Sequence, residues 1–126
     1  MGFYNISARE NITNGLRDRR PELAEFRDVF FDVSKDADVA MRHLAGAMGV
    51  NGGTCQEILA GKSRLQTFQV EGLVKHFLLF SKVSEVKIID LYIAGLRTVI
   101  AQAGLRAVVS VNEDECRRRI DEWRSR

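Results

Sequence analysis

The stretch Leu44–Leu65, LAGAMGVNGGTCQEILAGKSRL, decides how this chain folds. Two readings compete for its glycines. One is a flexible phosphate-cradling loop, prompted by the Gly61-Lys62-Ser63 triplet; the other is a pair of short helices joined by a tight turn. A phosphate loop of that kind needs a second glycine five positions before Gly61 and a buried strand ahead of it. Gln56 occupies that position, and the preceding apolar residues repeat at helical spacing. The paired-helix reading meets every geometric demand. Leu44 and Met48 lie one turn apart, Ala45 is small where two helices touch, and Gly49 tolerates positive φ at the turn. Val50 follows to plug the core. Cys55 and Ile58 then supply apolar side chains three apart on a second helix over about 53–60, which Gly61 ends.

Upstream, Pro21 suits the first position of a helix over about 21–33, whose apolar face is Leu23, Phe26, Val29, Phe30 and Val33. Ser34 or Asp36 is expected to cap the helix that runs through Val39 to about Met48. Before all of these, Ser7 and Glu10 form a capping box for a short helix over about 8–16 in an N-terminal arm, residues 1–20.

Downstream, Lys62-Ser63-Arg64 forms a polar loop, and Thr67 caps a helix with Phe68, Leu73, Val74, Phe77 and Leu78 inward. Ser84 opens the longest helix, about 84–103. Val86, Ile89, Ile93, Leu96, Val99 and Ile100 make one apolar face, which Ile88, Leu91 and Tyr92 broaden. A helix this widely apolar must be covered on more than one side. Residues 105–111 read as a connector or a brief extended piece. Asn112 caps a final helix with Glu113, Asp114 and Glu115 in its first turn and Arg117, Arg118, Arg119, Arg124 and Arg126 later, an order that complements the helix dipole. Cys116, Ile120 and Trp123 form its inward stripe. With a single proline and no alternating β-branched runs, the 126-residue chain reads as all-α.

Hydrophobic residues make up 45% of the chain, enough for a core, and no run is long and apolar enough to span a membrane. The opening residues lack a basic-then-apolar leader, so a cytoplasmic, nucleoid-associated location is expected and the sequons at Asn5 and Asn11 carry no meaning. Net charge is +2, too small to announce a nucleic-acid partner by itself. The surplus is local, however: residues 37–82 hold 5 basic and 3 acidic side chains. Cys55 and Cys116 stand alone, in no metal-binding spacing, and read as small buried hydrophobes of a reduced protein. His43 and His76 sit on separate predicted helices without a nucleophile beside them, and Asp36 with Asp38 reads as a helix start rather than a cation loop. No catalytic activity, cofactor or metal is expected.

From Val39 to Phe77, through VAMRHLAGAMGVNGGTCQEILAGKSRLQTFQVEGLVKHF, the chain resembles the λ-repressor-like, or Cro/repressor-type, helix-turn-helix family. The resemblance spans about residues 22–82 and rests on LA..MGV, a second helix ending near a glycine, a polar loop, and a following helix with L...F. It implies a λ-repressor-like helix-turn-helix bundle over 21–82, with extra C-terminal helices over 83–126 as a dimerisation region. It further implies a transcriptional regulator that binds double-stranded DNA as a homodimer, sequence-specifically or semi-specifically, with helix 53–60 in the major groove. By position, Asn51, Gly52, Gly53, Thr54, Gln56 and Glu57 then face DNA, with Gln56 suited to bidentate contact with adenine. Arg42, Lys62 and Arg64 are the phosphate contacts, with Lys75 a weaker candidate. The dimerisation candidates are Ile89, Ile93, Leu96, Ile100, Ile120 and Trp123.

Two departures from the family pattern stand out. Met41 occupies the place where the family often carries a phosphate-contacting glutamine, and Gly52-Gly53 removes side chains from positions that commonly read bases. Specificity is then drawn in part from DNA shape. A tail ending RRRIDEWRSR gives the layout a looser resemblance to mycobacterial nucleoid-associated regulators. The alternative class is a protein-interaction module on the same scaffold, an antitoxin or an RNA-polymerase-binding factor.

Overall fold

The computed structural model describes residues 21–80, 82–102 and 111–125. Among these the chain is all-helical: α1 Pro21–Ala37, α2 Met41–Met48, α3 Gly52–Leu59, α4 Thr67–Phe77, α5 Glu85–Gln102 and α6 Glu113–Arg124. The short helix expected over 8–16 and the stretch 105–110 lie outside the described residues. No described helix is long and apolar enough to cross a membrane.

Three successive helices end by the same device. After α2, Gly49 adopts φ 78°, its N–H donates to the Gly46 carbonyl, and the Val50 N–H donates to the Ala45 carbonyl. After α3, Gly61 adopts φ 75°, with the equivalent bonds from Gly61 to Ile58 and from Lys62 to Glu57. This crossed pair of bonds, with a left-handed residue between, satisfies carbonyls that the helix end leaves free. The sequence points to both glycines. It misleads at the third position, because α1 closes the same way over Asp38, a non-glycine residue at φ 54°. Aspartate tolerates that conformation better than most side chains do.

The helix α1 therefore runs to Ala37, beyond the expected end near 33, and neither Ser34 nor Asp36 caps α2. Ser34 lies inside α1, buried, its hydroxyl donating to the Phe30 carbonyl at 2.5 Å. The residue ahead of α2 is Ala40, in extended conformation and with no side-chain cap. Thr67 is likewise not the cap of α4. That place belongs to Gln66, whose N–H donates to Gln69 Oε1 at 2.9 Å.

One continuous core draws on every helix, and it includes residues on both sides of the boundary expected at 83. Leu44, Ala45, Met48, Cys55 and Ile58 are all fully buried, and Val50 packs against them. On α4 the stripe Val70, Leu73, Val74 and Phe77 is buried at i, i+3, i+4 and i+7. Phe68 falls off that stripe and is 59% exposed, not inward. Val86, in the first turn of α5, is 65% exposed rather than part of the apolar face. The rest of α5 is covered as its breadth requires, by α1, α4 and α6.

Two close helix contacts depend on glycine. A Cβ on Gly72 of α4 would lie 2.4 Å from the Ala47 carbonyl oxygen of α2. A Cβ on Gly95 of α5 would lie 2.5 Å from Val70 Cγ1 of α4. These absences of a side chain set how near α4 comes to its two neighbours.

The helix α6 is fastened to this bundle by packing and by polar contacts to α4 and α5. Ile120 and Cys116 are buried, and the Trp123 ring lies tilted against that of Tyr92, their centres 5.4 Å apart. The Tyr92 hydroxyl donates to the Glu71 carboxylate at 2.9 Å, and Arg119 Nη1 donates to the same oxygen at 3.0 Å. Burial and the neighbouring Glu71 both push the Tyr92 hydroxyl pKa up, so it stays a proton donor. Asn112 caps α6, its side chain accepting from the Glu115 N–H at 3.0 Å.

Candidate nucleic-acid interface

The helix α3 is short and presents two contrasting sides. Cys55, Ile58 and Leu59 are buried, whereas Asn51, Gly53, Gln56 and Glu57 are exposed and Gly52 and Thr54 half-buried. It begins at Gly52, one residue before the expected start, because Asn51 caps it. Asn51 Oδ1 accepts from the Thr54 N–H at 2.7 Å. A side-chain oxygen followed by an apolar helical run is the usual signal for that role. It assigns Asn51 a local task beside its expected place at the interface.

Packing does not account for Gly52-Gly53. A Cβ on Gly52 would meet nothing within 4 Å, and one on Gly53 would meet only Asn51 Oδ1, at 3.4 Å. Neither residue is among those with positive φ. The amino end of α3 is thus bare backbone where side chains would fit.

Glu57 is turned toward the following loop. Its carboxylate accepts from the Ser63 hydroxyl at 3.1 Å, and its carbonyl accepts from the N–H groups of Lys62 and Ser63. The other end of the loop is held at Leu65, whose N–H donates to Gln102 Oε1 at 3.0 Å and whose carbonyl accepts from Gln102 Nε2 at 2.9 Å. Between these anchors Lys62 and Arg64 are exposed. Gln102 is a residue that sequence reasoning missed, since nothing local marks a partner 37 positions away.

Comparison with protein-family models, curated proteins and solved structures finds no match for this chain. Its own charge arrangement therefore carries the reading. On α5 and α6, Lys87 pairs with Asp36, Arg97 with Glu25, Arg118 with Glu115 and Glu122, Arg119 with Glu71 and Glu115, and Arg124 with Glu85. Arg117 is the exception on those helices. By contrast Arg42, in the first turn of α2, and Lys62 and Arg64, after α3, have no carboxylate partner among the described residues. Lys35 and Lys82 also lack one, but they sit near the end of α1 and in the α4–α5 connection. Lys75 belongs to another surface, its ammonium 4.9 Å from the centre of the Trp123 ring.

The expected dimerisation set divides. Ile89, Ile93 and Ile120 are buried within this chain's own core, so they offer no surface to a second copy. Leu96, Ile100 and Trp123 are half-buried. Leu96 and Ile100 line a cleft of 260 Å³ with Val99, Val111 and Cys116. Both cysteines are free and buried, and burial pushes the Cys55 thiol up to about 12.

Proposed function

We propose that this chain is a λ-repressor-like helix-turn-helix transcriptional regulator that binds double-stranded DNA as a dimer. In this reading α2 and α3, joined through Gly49, form the helix-turn-helix unit, and α3 lies in the major groove. The observation that carries it is the contrast in charge pairing. Cations on the C-terminal helices are largely neutralised within the chain, while Arg42, Lys62 and Arg64 flank α3 unneutralised. Phosphate oxygens are the partners such cations lack.

The bare amino end of α3 adds a second support. Without side chains at Gly52 and Gly53 the helix backbone can approach a phosphate or groove floor closely, and free N–H groups favour an anion there. Gln56 is then the principal direct reader, because its exposed amide offers the donor and acceptor that adenine's major-groove edge requires. One reader per protomer leaves much of the specificity to DNA shape and to the spacing of two half-sites.

Two substitutions separate reading from holding. Gln56→Ala relaxes sequence preference, with a discrimination loss of about 1–3 kcal/mol at the contacted base pair. Arg64→Ala weakens all duplexes alike. Binding measured over a randomised duplex pool checks both, and identical profiles for the two variants would undo the assignment.

The protein-interaction reading has its own observation. Phe68 at 59%, Leu79 at 80% and Val86 at 65% are large apolar side chains left exposed. Single exposed apolar residues are ordinary, however, and the three do not account for the unpaired cations.

A further inference from the structure

We propose that Gln102 is a positioning residue that holds the Lys62–Arg64 loop in its phosphate-binding shape, so that DNA affinity depends on the last turn of α5. The proposal rests on the DNA-binding reading above. Its basis is the double bond between one side-chain amide and one backbone residue: Leu65 N–H to Gln102 Oε1 at 3.0 Å, and Gln102 Nε2 to the Leu65 carbonyl at 2.9 Å. A primary amide offers a donor and an acceptor side by side, so it satisfies both backbone groups as a neighbouring strand would. Glutamate keeps the acceptor and loses the donor. Alanine loses both.

The loop has no regular structure of its own between Gly61 and Gln66, and its shape comes from its two ends. At the α3 end, Glu57 accepts from the Lys62 and Ser63 N–H groups and from the Ser63 hydroxyl. At the α4 end, the Leu65 side chain is 2% exposed and its backbone is clasped by Gln102. Arg64 sits immediately before this clasp. Arg64 is exposed, and the backbone that follows it is held by the clasp. Releasing the clasp spreads Arg64 over more conformers, and binding must then restore the lost order.

Helix α5 also connects this clasp to the C-terminal helix. Val99 and Ile100, within one turn of Gln102, share the walls of the 260 Å³ cleft with Asn112, the cap of α6, with Cys116 of α6 and with Thr67 at the start of α4. A shift of the last turn of α5 is therefore felt at the loop through two hydrogen bonds.

The test uses the full chain, with Gln102→Ala and Gln102→Glu alone and combined with Arg64→Ala or Arg42→Ala. Amide hydrogen exchange of the free protein comes first: Leu65 exchanges faster in Gln102→Ala, while the amides in the middle of α5 keep their protection. Binding to one fixed duplex at several salt concentrations follows. Gln102→Ala weakens binding by up to about tenfold and lowers the salt slope by about one power per protomer. Gln102→Glu, which keeps the Leu65 N–H bond but sets a carboxylate oxygen against the Leu65 carbonyl, weakens binding at least as much, and it keeps the comparison usable if the alanine variant does not fold. In an Arg64→Ala background Gln102→Ala adds less than about twofold, whereas in an Arg42→Ala background it keeps its full effect. An equal effect in both backgrounds, or none in the parent chain, overturns the proposal and leaves the DNA-binding reading standing. Absence of salt-dependent binding by the parent chain removes that reading and this proposal together.

Discussion

Gly72→Ala destabilises the protein by about 3 kcal/mol, lowering Tm by roughly 10 °C. The cause is a backbone contact. The new Cβ would stand 2.4 Å from the Ala47 carbonyl oxygen, and no rotamer change can move a backbone oxygen that lies within α2. The helices α2 and α4 must therefore separate, opening the core around Leu44, Met48 and Leu73. Gly95→Ala makes an instructive contrast, because the atoms it meets belong to the Val70 side chain, with Cγ1 at 2.5 Å and Cγ2 at 2.9 Å. It costs about 2 kcal/mol by the same overpacking. Combined with Val70→Ala, the two losses add to less than their sum by about 1 kcal/mol or more, since each relieves the other. Thermal and denaturant unfolding measure both. Strict additivity, or a Gly72→Ala variant as stable as the parent, would contradict the described helix spacing.

The second large effect is on binding with the fold left intact. Under the proposed DNA-binding function, replacing Arg42, Lys62 and Arg64 together by alanine reduces affinity for any duplex by roughly a thousandfold or more, because the proposed dimer then loses about six phosphate contacts. The same variant keeps its Tm within a few degrees. All three side chains are exposed and none pairs with a carboxylate among the described residues, so little folding energy depends on them. A control variant with Arg118 and Arg124 replaced spares binding. It removes ion pairs to Glu115, Glu122 and Glu85 that lie on α5 and α6, and it leaves DNA affinity within a few-fold of the parent. Gel-shift and fluorescence titrations resolve the difference.

Legibility in the sequence followed the range of the interactions. The α2–α3 unit could be read because its requirements are local: Leu44, Ala45, Met48, Gly49, Val50, Cys55 and Ile58 fall within 15 positions, and each answers a steric need of the turn. The end of α1 was misread for an equally local reason. Asp38 does the work of a closing glycine, and an acidic residue before an apolar run looks like the start of a helix. The breadth of α5 announced cover on several sides but not whose. Its Ile89 and Ile93 are covered by other helices of the same chain, as is Ile120 of α6, which moves all three from an expected interface into the core. Gly72 and Gly95 read as weak points in helices, because the clash that makes them necessary comes from residues 25 positions away in each case. The Gln102 clasp spans 37 positions and carries no local mark at all.

Gly52-Gly53 lay open in the sequence, and the structure narrows what they mean. No neighbour forbids a side chain at Gly52, and neither glycine has a backbone conformation that requires glycine. Alanine there would favour the helix by up to about 1 kcal/mol. The stability forgone at the exposed start of α3 is consistent with a surface kept low for close approach to a ligand.

The measurement that bears most directly on this account is a titration of the parent chain against mixed duplex fragments across roughly 50–200 mM salt. Three unpaired cations per protomer, doubled in a dimer, predict that log affinity falls linearly with log salt with a slope of about −5. A slope near −3 would describe the same contacts made by a monomer. No binding at the lowest salt, or an affinity indifferent to salt, would contradict the claim that this surface is built for DNA.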